Sequence, residues 1–144
     1  MLKKFFLLPL FIIGIIAGCK KNSSTTNTGV PNVAVSISID TYSPLYNNLA
    51  VVGGWMYVTG GYLNHGIIVY RASTDQFYAM DRTCTYNNNG VVQMTNTTGF
   101  FAIDSSCKSQ FTIPTGGTVK NGPASLPLKN YSTNFDGEYL TISN

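Results

Sequence analysis

The chain has 144 residues, nine Lys or Arg against six Asp or Glu, and a formal net charge of +3, which suits one modest core and few charged contacts. So few basic residues leave it without the electrostatic footprint that nucleic-acid binding requires. A single histidine, His65, leaves general-base catalysis with almost no candidates.

The first segment, "MLKKFFLLPLFIIGIIAGC", has two lysines, an apolar run over residues 5–16, and small Ala17 and Gly18 before Cys19. A basic start, an apolar run short for a membrane span, and a small-residue cleavage site describe an export signal. Because cysteine follows the cut, the pattern resembles a bacterial lipoprotein signal, with Ile16-Ala17-Gly18-Cys19 as its lipobox. The resemblance implies removal of residues 1–18 and lipidation of Cys19, which makes the membrane a partner through that lipid. Losing Lys3 and Lys4 leaves seven basic residues against six acidic ones, a nearly neutral mature chain. Lys20 and Lys21 read as neighbours of the membrane surface. The lack of an aspartate after Cys19 points to a lipid-anchored cell-envelope location at the outer membrane, its periplasmic or surface face left open.

Next comes "KKNSSTTNTGVPN", polar and without apolar periodicity, which cannot bury enough surface to offset the entropy of ordering. With Cys19 it forms a flexible tether over residues 19–32. One domain follows over residues 33–144.

That domain reads as β throughout, because its apolar period is two. "VAVSISI" places Val33, Val35, Ile37 and Ile39 on one face and Ala34, Ser36 and Ser38 on the other. "WMYV", "GIIVYR", "QFYAMD", "VVQM" and "FFAID" are short, rich in β-branched and aromatic residues, and bounded by turn-forming residues. "YSTNFDGEYLTIS" predicts a hairpin around Asp136-Gly137. No window of more than ten residues holds a helical stripe. The expected fold is an all-β antiparallel sandwich or small barrel. Trp55, Tyr57 and Tyr62 read as strand packing, His65 as an exposed turn residue, and Asp81 and Asp104 as strand-end residues bonding nearby backbone.

From Gly66 onward the chain resembles a Rieske-type domain, the β fold that holds a [2Fe-2S] cluster between two ligand loops. "DRTCTYNNNG" matches a first loop of the form Cys-Thr-His, with Cys84 and Thr85 in place and Tyr86 where histidine belongs. "DSSCKSQF" matches a second loop of the form Cys-Pro-Cys-His-Gly-Ser-x-Phe. Anchoring on Ser109 and Phe111 puts Asp104 at the ligand cysteine and Cys107 at the ligand histidine. Gly122, Pro123 and Ala124 match the loop that covers the cluster, and Pro127, Leu128 and Tyr131 match the approach to the last hairpin.

A Rieske centre takes two cysteine thiolates on one iron and two histidines on the other. Here Cys19 goes to the lipid, and Cys84, Tyr86, Asp104 and Cys107 stand at the four former cluster positions, so no iron-sulfur cluster and no other metal or cofactor is expected. The resemblance brings the two loops together and so implies a Cys84–Cys107 disulfide in an oxidising compartment. Redox exchange, free thiols and metal binding remain alternatives for the same pair. The chain lacks a Gly-x-Ser-x-Gly elbow, a His-Glu-x-x-His motif and a P-loop, so no catalytic residue is assigned and no enzyme activity is expected.

The function read from this is a membrane-anchored envelope lipoprotein with a binding or structural role. Its contact surface for an envelope protein would be the loop tip, with Tyr86, Lys108, Gln110, Gly122, Pro123 and Ala124. The alternative is an electron-transfer or redox protein using a Cys84–Cys107 disulfide or an atypical iron-sulfur or metal centre.

Overall fold

The computed structural model describes residues 29–96 and 98–144. The signal at 1–18, the lipidation of Cys19 and residues 20–28 of the tether lie outside them. Ten strands are described: β1 (Ser36–Asp40), β2 (Trp55–Val58), β3 (Ile67–Arg71), β4 (Phe77–Asp81), β5 (Val92–Met94), β6 (Phe101–Asp104), β7 (Gln110–Thr112), β8 (Thr118–Asn121), β9 (Asn130–Phe135) and β10 (Tyr139–Ser143).

They form two antiparallel sheets. One has six strands in the order β1-β10-β9-β4-β3-β2, and the other has four in the order β5-β6-β7-β8. Among the described residues the helical segments are short 3-10 turns at Pro44–Ala50, Tyr62–Asn64 and Ile113–Thr115, and none is long and apolar enough to cross a membrane.

The larger sheet curls around its own core of Val35, Ile39, Leu49, Ile67, Val69, Phe77, Ala79, Tyr131, Leu140 and Ile142. Successive side chains point to opposite faces of a strand, so Ile68, Tyr70 and Met80 leave that core from the same β3 and β4. They pack with Val92, Ala102, Phe111 and Ile113 of the smaller-sheet region. This two-sided burial explains why "IIVY" is apolar without alternation.

The β9–β10 hairpin forms as the sequence indicates, but its turn is displaced by one residue. Leu140 pairs with Phe135, and Asp136 N–H donates to Tyr139 O, which leaves Gly137-Glu138 as the two-residue loop. Gly137 has φ 108 at the first loop position, where a type II′ turn needs positive φ. Asp136 Oδ1 instead accepts the N–H groups of Glu138 and Tyr139.

Residues 29–32, expected at the end of the tether, pack against the domain. Val30 is only 7% exposed. Asn88 Nδ2 donates to Gly29 O at 2.9 Å and Lys129 Nζ to Pro31 O at 2.8 Å. Polar composition hid this, because one valine and two backbone carbonyls make the contact.

Candidate functional site

Three connections meet at one end of the smaller sheet: 82–91 between β4 and β5, 105–109 between β6 and β7, and 122–129 between β8 and β9. The first is anchored by Asp81, fully buried at the end of β4. Its Oδ1 accepts Thr83 N–H, and its Oδ2 accepts Tyr62 N–H at 2.7 Å and the Tyr131 hydroxyl at 2.5 Å. Burial, then the neighbouring Asp81 carboxylate, push the Tyr131 phenol far above its ordinary value, so it stays a donor. Cys84 N–H donates to Gly90 O and Gly90 N–H to Asn87 O, closing the "CTYNNNG" turn.

The second loop is tighter. Lys108 N–H donates to Asp104 O and Asp104 N–H to Ser109 O. Lys108 has φ 63, a left-handed conformation at the position where the Rieske pattern has glycine. Asp104 Oδ1 accepts Ser106 N–H at 2.7 Å and the Ser106 hydroxyl at 2.6 Å. Buried Ser109 joins this loop to the third, its Oγ accepting Ala124 N–H at 2.9 Å. The Thr85 hydroxyl donates to Leu126 O at 2.6 Å and ties the first loop to the third.

Three of the four residues that the loop motifs align with cluster ligands converge. Cys84, Asp104 and Cys107 each bring one donor atom within 4.8 Å of the others, and the two sulfurs are 3.5 Å apart. Both cysteines are free thiols. Cys107 Sγ donates to Ser109 Oγ at 3.1 Å and accepts Ser109 N–H at 3.4 Å. Burial pushes the Cys84 thiol up from 9.0 to about 11, against backbone bonds from Asn87 and Tyr86 that favour the thiolate. Burial also raises the Asp104 carboxyl, but the Ser106 hydroxyl and amide, the neighbouring Cys84 thiol and the Cys107 amide together hold it below its usual range. Asp104 Oδ2 is buried and meets no donor at hydrogen-bonding geometry.

Tyr86 does not join them, because its side chain is 60% exposed. His65 lies in a turn as expected but is half-buried rather than exposed, its Nδ1 at 3.0 Å from Thr83 Oγ1. It is outside the Cys84–Asp104–Cys107 group. Two thiols and one carboxylate, with no imidazole beside them, do not fit the two-cysteine, two-histidine set of a Rieske centre.

Of the expected contact surface, Tyr86, Lys108, Gly122 and Pro123 are exposed and Gln110 is half-buried. Ala124 is 5% exposed and packs inward, so it is not a surface residue. Tyr57 makes the packing expected of it, edge-on to Trp55 with ring centroids 5.2 Å apart and beneath the Arg82 guanidinium at 3.8 Å. Its hydroxyl also accepts Met94 N–H, a link from β2 to β5 that no spacing in the sequence reveals.

No protein-family model matches the chain, and no curated protein does. Solved structures do. The chain is similar to the cyanobacterial plasma membrane Rieske protein PetC3 from Synechocystis PCC 6803, at 20% identity and TM-score 0.55, over 75% of this chain and 99% of that one. It is also similar to the ferredoxin of carbazole 1,9a-dioxygenase from Nocardioides aromaticivorans IC177, at 18% identity and TM-score 0.42, over 65% and 86% of the two chains. The Sphingomonas yanoikuyae B1 ferredoxin matches at 21% identity and TM-score 0.42, over 67% of this chain and 93% of that one. With the three converging loops, the likeness to PetC3 defines a Rieske-type all-β fold.

Proposed function

We propose that this chain is a lipid-anchored envelope protein whose Rieske fold has exchanged its cluster for a cysteine pair and now serves a binding or structural role. The observation that carries the reading is the pair itself: Cys84 and Cys107 meet at 3.5 Å where the fold otherwise holds iron, in a chain with one histidine bonded elsewhere. The export-type start supports an envelope location, as does the likeness to a protein described as a plasma membrane Rieske protein. The outer membrane is the location favoured by Lys20 after the lipidated Cys19.

In an oxidising compartment the two thiols form a bridge by exchange with an external disulfide, which accepts two electrons and leaves as two thiols. The bridge then joins the first two loops. Tyr86, Lys108, Gln110, Gly122 and Pro123 stand around them as the docking surface for an envelope protein. A second reading, thiol–disulfide redox exchange, is favoured by one contrast: Cys107 is half-exposed while Cys84 is fully buried, so one sulfur is open to attack.

Mass spectrometry of the intact protein from the envelope fraction tests the proposal. The expected species carries lipid on Cys19, lacks two hydrogens at the bridge, and has no iron. An unlipidated protein with two alkylatable loop thiols, or one carrying two irons, overturns it.

A further inference from the structure

We infer that, when reduced, Cys84, Cys107 and Asp104 form a three-donor site for one thiophilic divalent cation of the zinc class. This rests on the cysteine pair of the proposed function, because both need the sulfurs side by side. Three observations carry it.

The sulfur separation is the first. Two thiolates about 2.3 Å from a tetrahedral zinc stand roughly 3.8 Å apart, whereas a disulfide draws sulfurs to about 2.05 Å. The observed 3.5 Å lies near the metal bite. Asp104 is the second observation: it is 1% exposed, an oxygen of its carboxylate lies within 4.8 Å of both sulfurs, and its buried Oδ2 meets no donor at hydrogen-bonding geometry, the Cys84 thiol beside the carboxylate carrying the proton that a cation would replace. A buried carboxylate oxygen left unpaired is costly, and a cation at this place would satisfy it.

The third is the support around the donors. Asp104 Oδ1 is held by the Ser106 amide and hydroxyl, and Cys107 Sγ receives Ser109 N–H at 3.4 Å. Bonds of this kind fix ligand orientation and stabilise thiolate charge. Thiolates select zinc-like ions over calcium or magnesium. Binding releases the two thiol protons to solvent. Three protein donors leave a fourth position for water or an incoming ligand. The ion and the disulfide exclude each other, because bridging takes both sulfurs.

The test is cobalt(II) titration of the reduced full-length chain followed by zinc(II) competition, with native mass spectrometry for stoichiometry. One cobalt per chain, thiolate-to-cobalt charge-transfer absorption, and displacement by one zinc are expected. Cys107→Ala, at a half-exposed position, should abolish the charge-transfer signal, and Asp104→Asn should weaken binding at least about tenfold. Circular dichroism of each variant shows that it is folded.

Absence of charge-transfer absorption, or wild-type binding by both variants, overturns the site. Thiol counts after treatment with an external disulfide separate the two ideas. A protein that bridges but takes no metal refutes only the cation site; one that neither bridges nor binds metal refutes the cysteine-pair reading as well.

Discussion

Bridging Cys84 to Cys107 should raise the unfolding free energy by about 3.4 kcal/mol in the chain-entropy model, because the cross-link closes a loop with a sequence separation of 23 residues. The native fold already holds the sulfurs at 3.5 Å, so an approach of only about 1.5 Å completes the bond. Strain from that movement subtracts from the entropic gain. Urea unfolding followed by the fluorescence of the single tryptophan, Trp55, measures the difference between oxidised and reduced protein. With a slope of roughly 1–3 kcal/mol per molar urea, the midpoint should move by about 1–3 M. The Cys84→Ser/Cys107→Ser double variant should match the reduced protein and not respond to reductant. Equal midpoints for oxidised and reduced wild type would refute the reasoning, because the loops would then gain nothing from the link.

Other expectations come from the groups around the pair. In the reduced protein, burial makes the folded state bind the Cys84 proton more tightly than the unfolded state does. Its stability contribution is therefore complete below about pH 9 and lost as pH rises through about 11, which urea midpoints across that window will show. Asp104 has the opposite sign: its carboxyl is held low in the fold, so its contribution is present above the ordinary carboxylate range and lost on acidification through its folded pKa. Gly90→Ala places a Cβ 2.0 Å from Asp104 Oδ2 and 3.1 Å from Asn87 O. The loop must shift, at a cost of about 1–3 kcal/mol in thermal or urea unfolding, and the bridge should form more slowly in a thiol assay. Tyr131→Phe removes the 2.5 Å bond to Asp81 Oδ2, which keeps only Tyr62 N–H, and should lower stability by roughly 1–3 kcal/mol.

Much of the architecture is legible in period-two patterning. "WMYV" is β2 residue for residue, and the face of Val35, Ile37 and Ile39 is the inner face of the first extended segment. Strands β7 and β8 escaped that reading because they have only three and four residues, with Ile113–Thr115 and two positive-φ glycines between them. The convergence of Cys84, Asp104 and Cys107 is legible through loop motifs, because the spacing of those motifs places the residues on two loops at the same end of the fold. The outward side chain of Tyr86 and the inward packing of Ala124 were not. Each depends on cross-loop bonds, Thr85 to Leu126 and Ser109 to Ala124, that join residues 41 and 15 positions apart. The docking of residues 29–31 is equally hidden, because Gly29 and Pro31 bond to Asn88 and Lys129, 59 and 98 positions away.

The most direct test is an iron and sulfide assay, with low-temperature electron paramagnetic resonance, on protein incubated anaerobically with iron and sulfide. A colourless protein without bound iron and without a resonance on reduction is expected, because the single histidine lies outside the Cys84–Asp104–Cys107 group. Two irons and two sulfides per chain, with the resonance of a histidine-ligated pair, would contradict it.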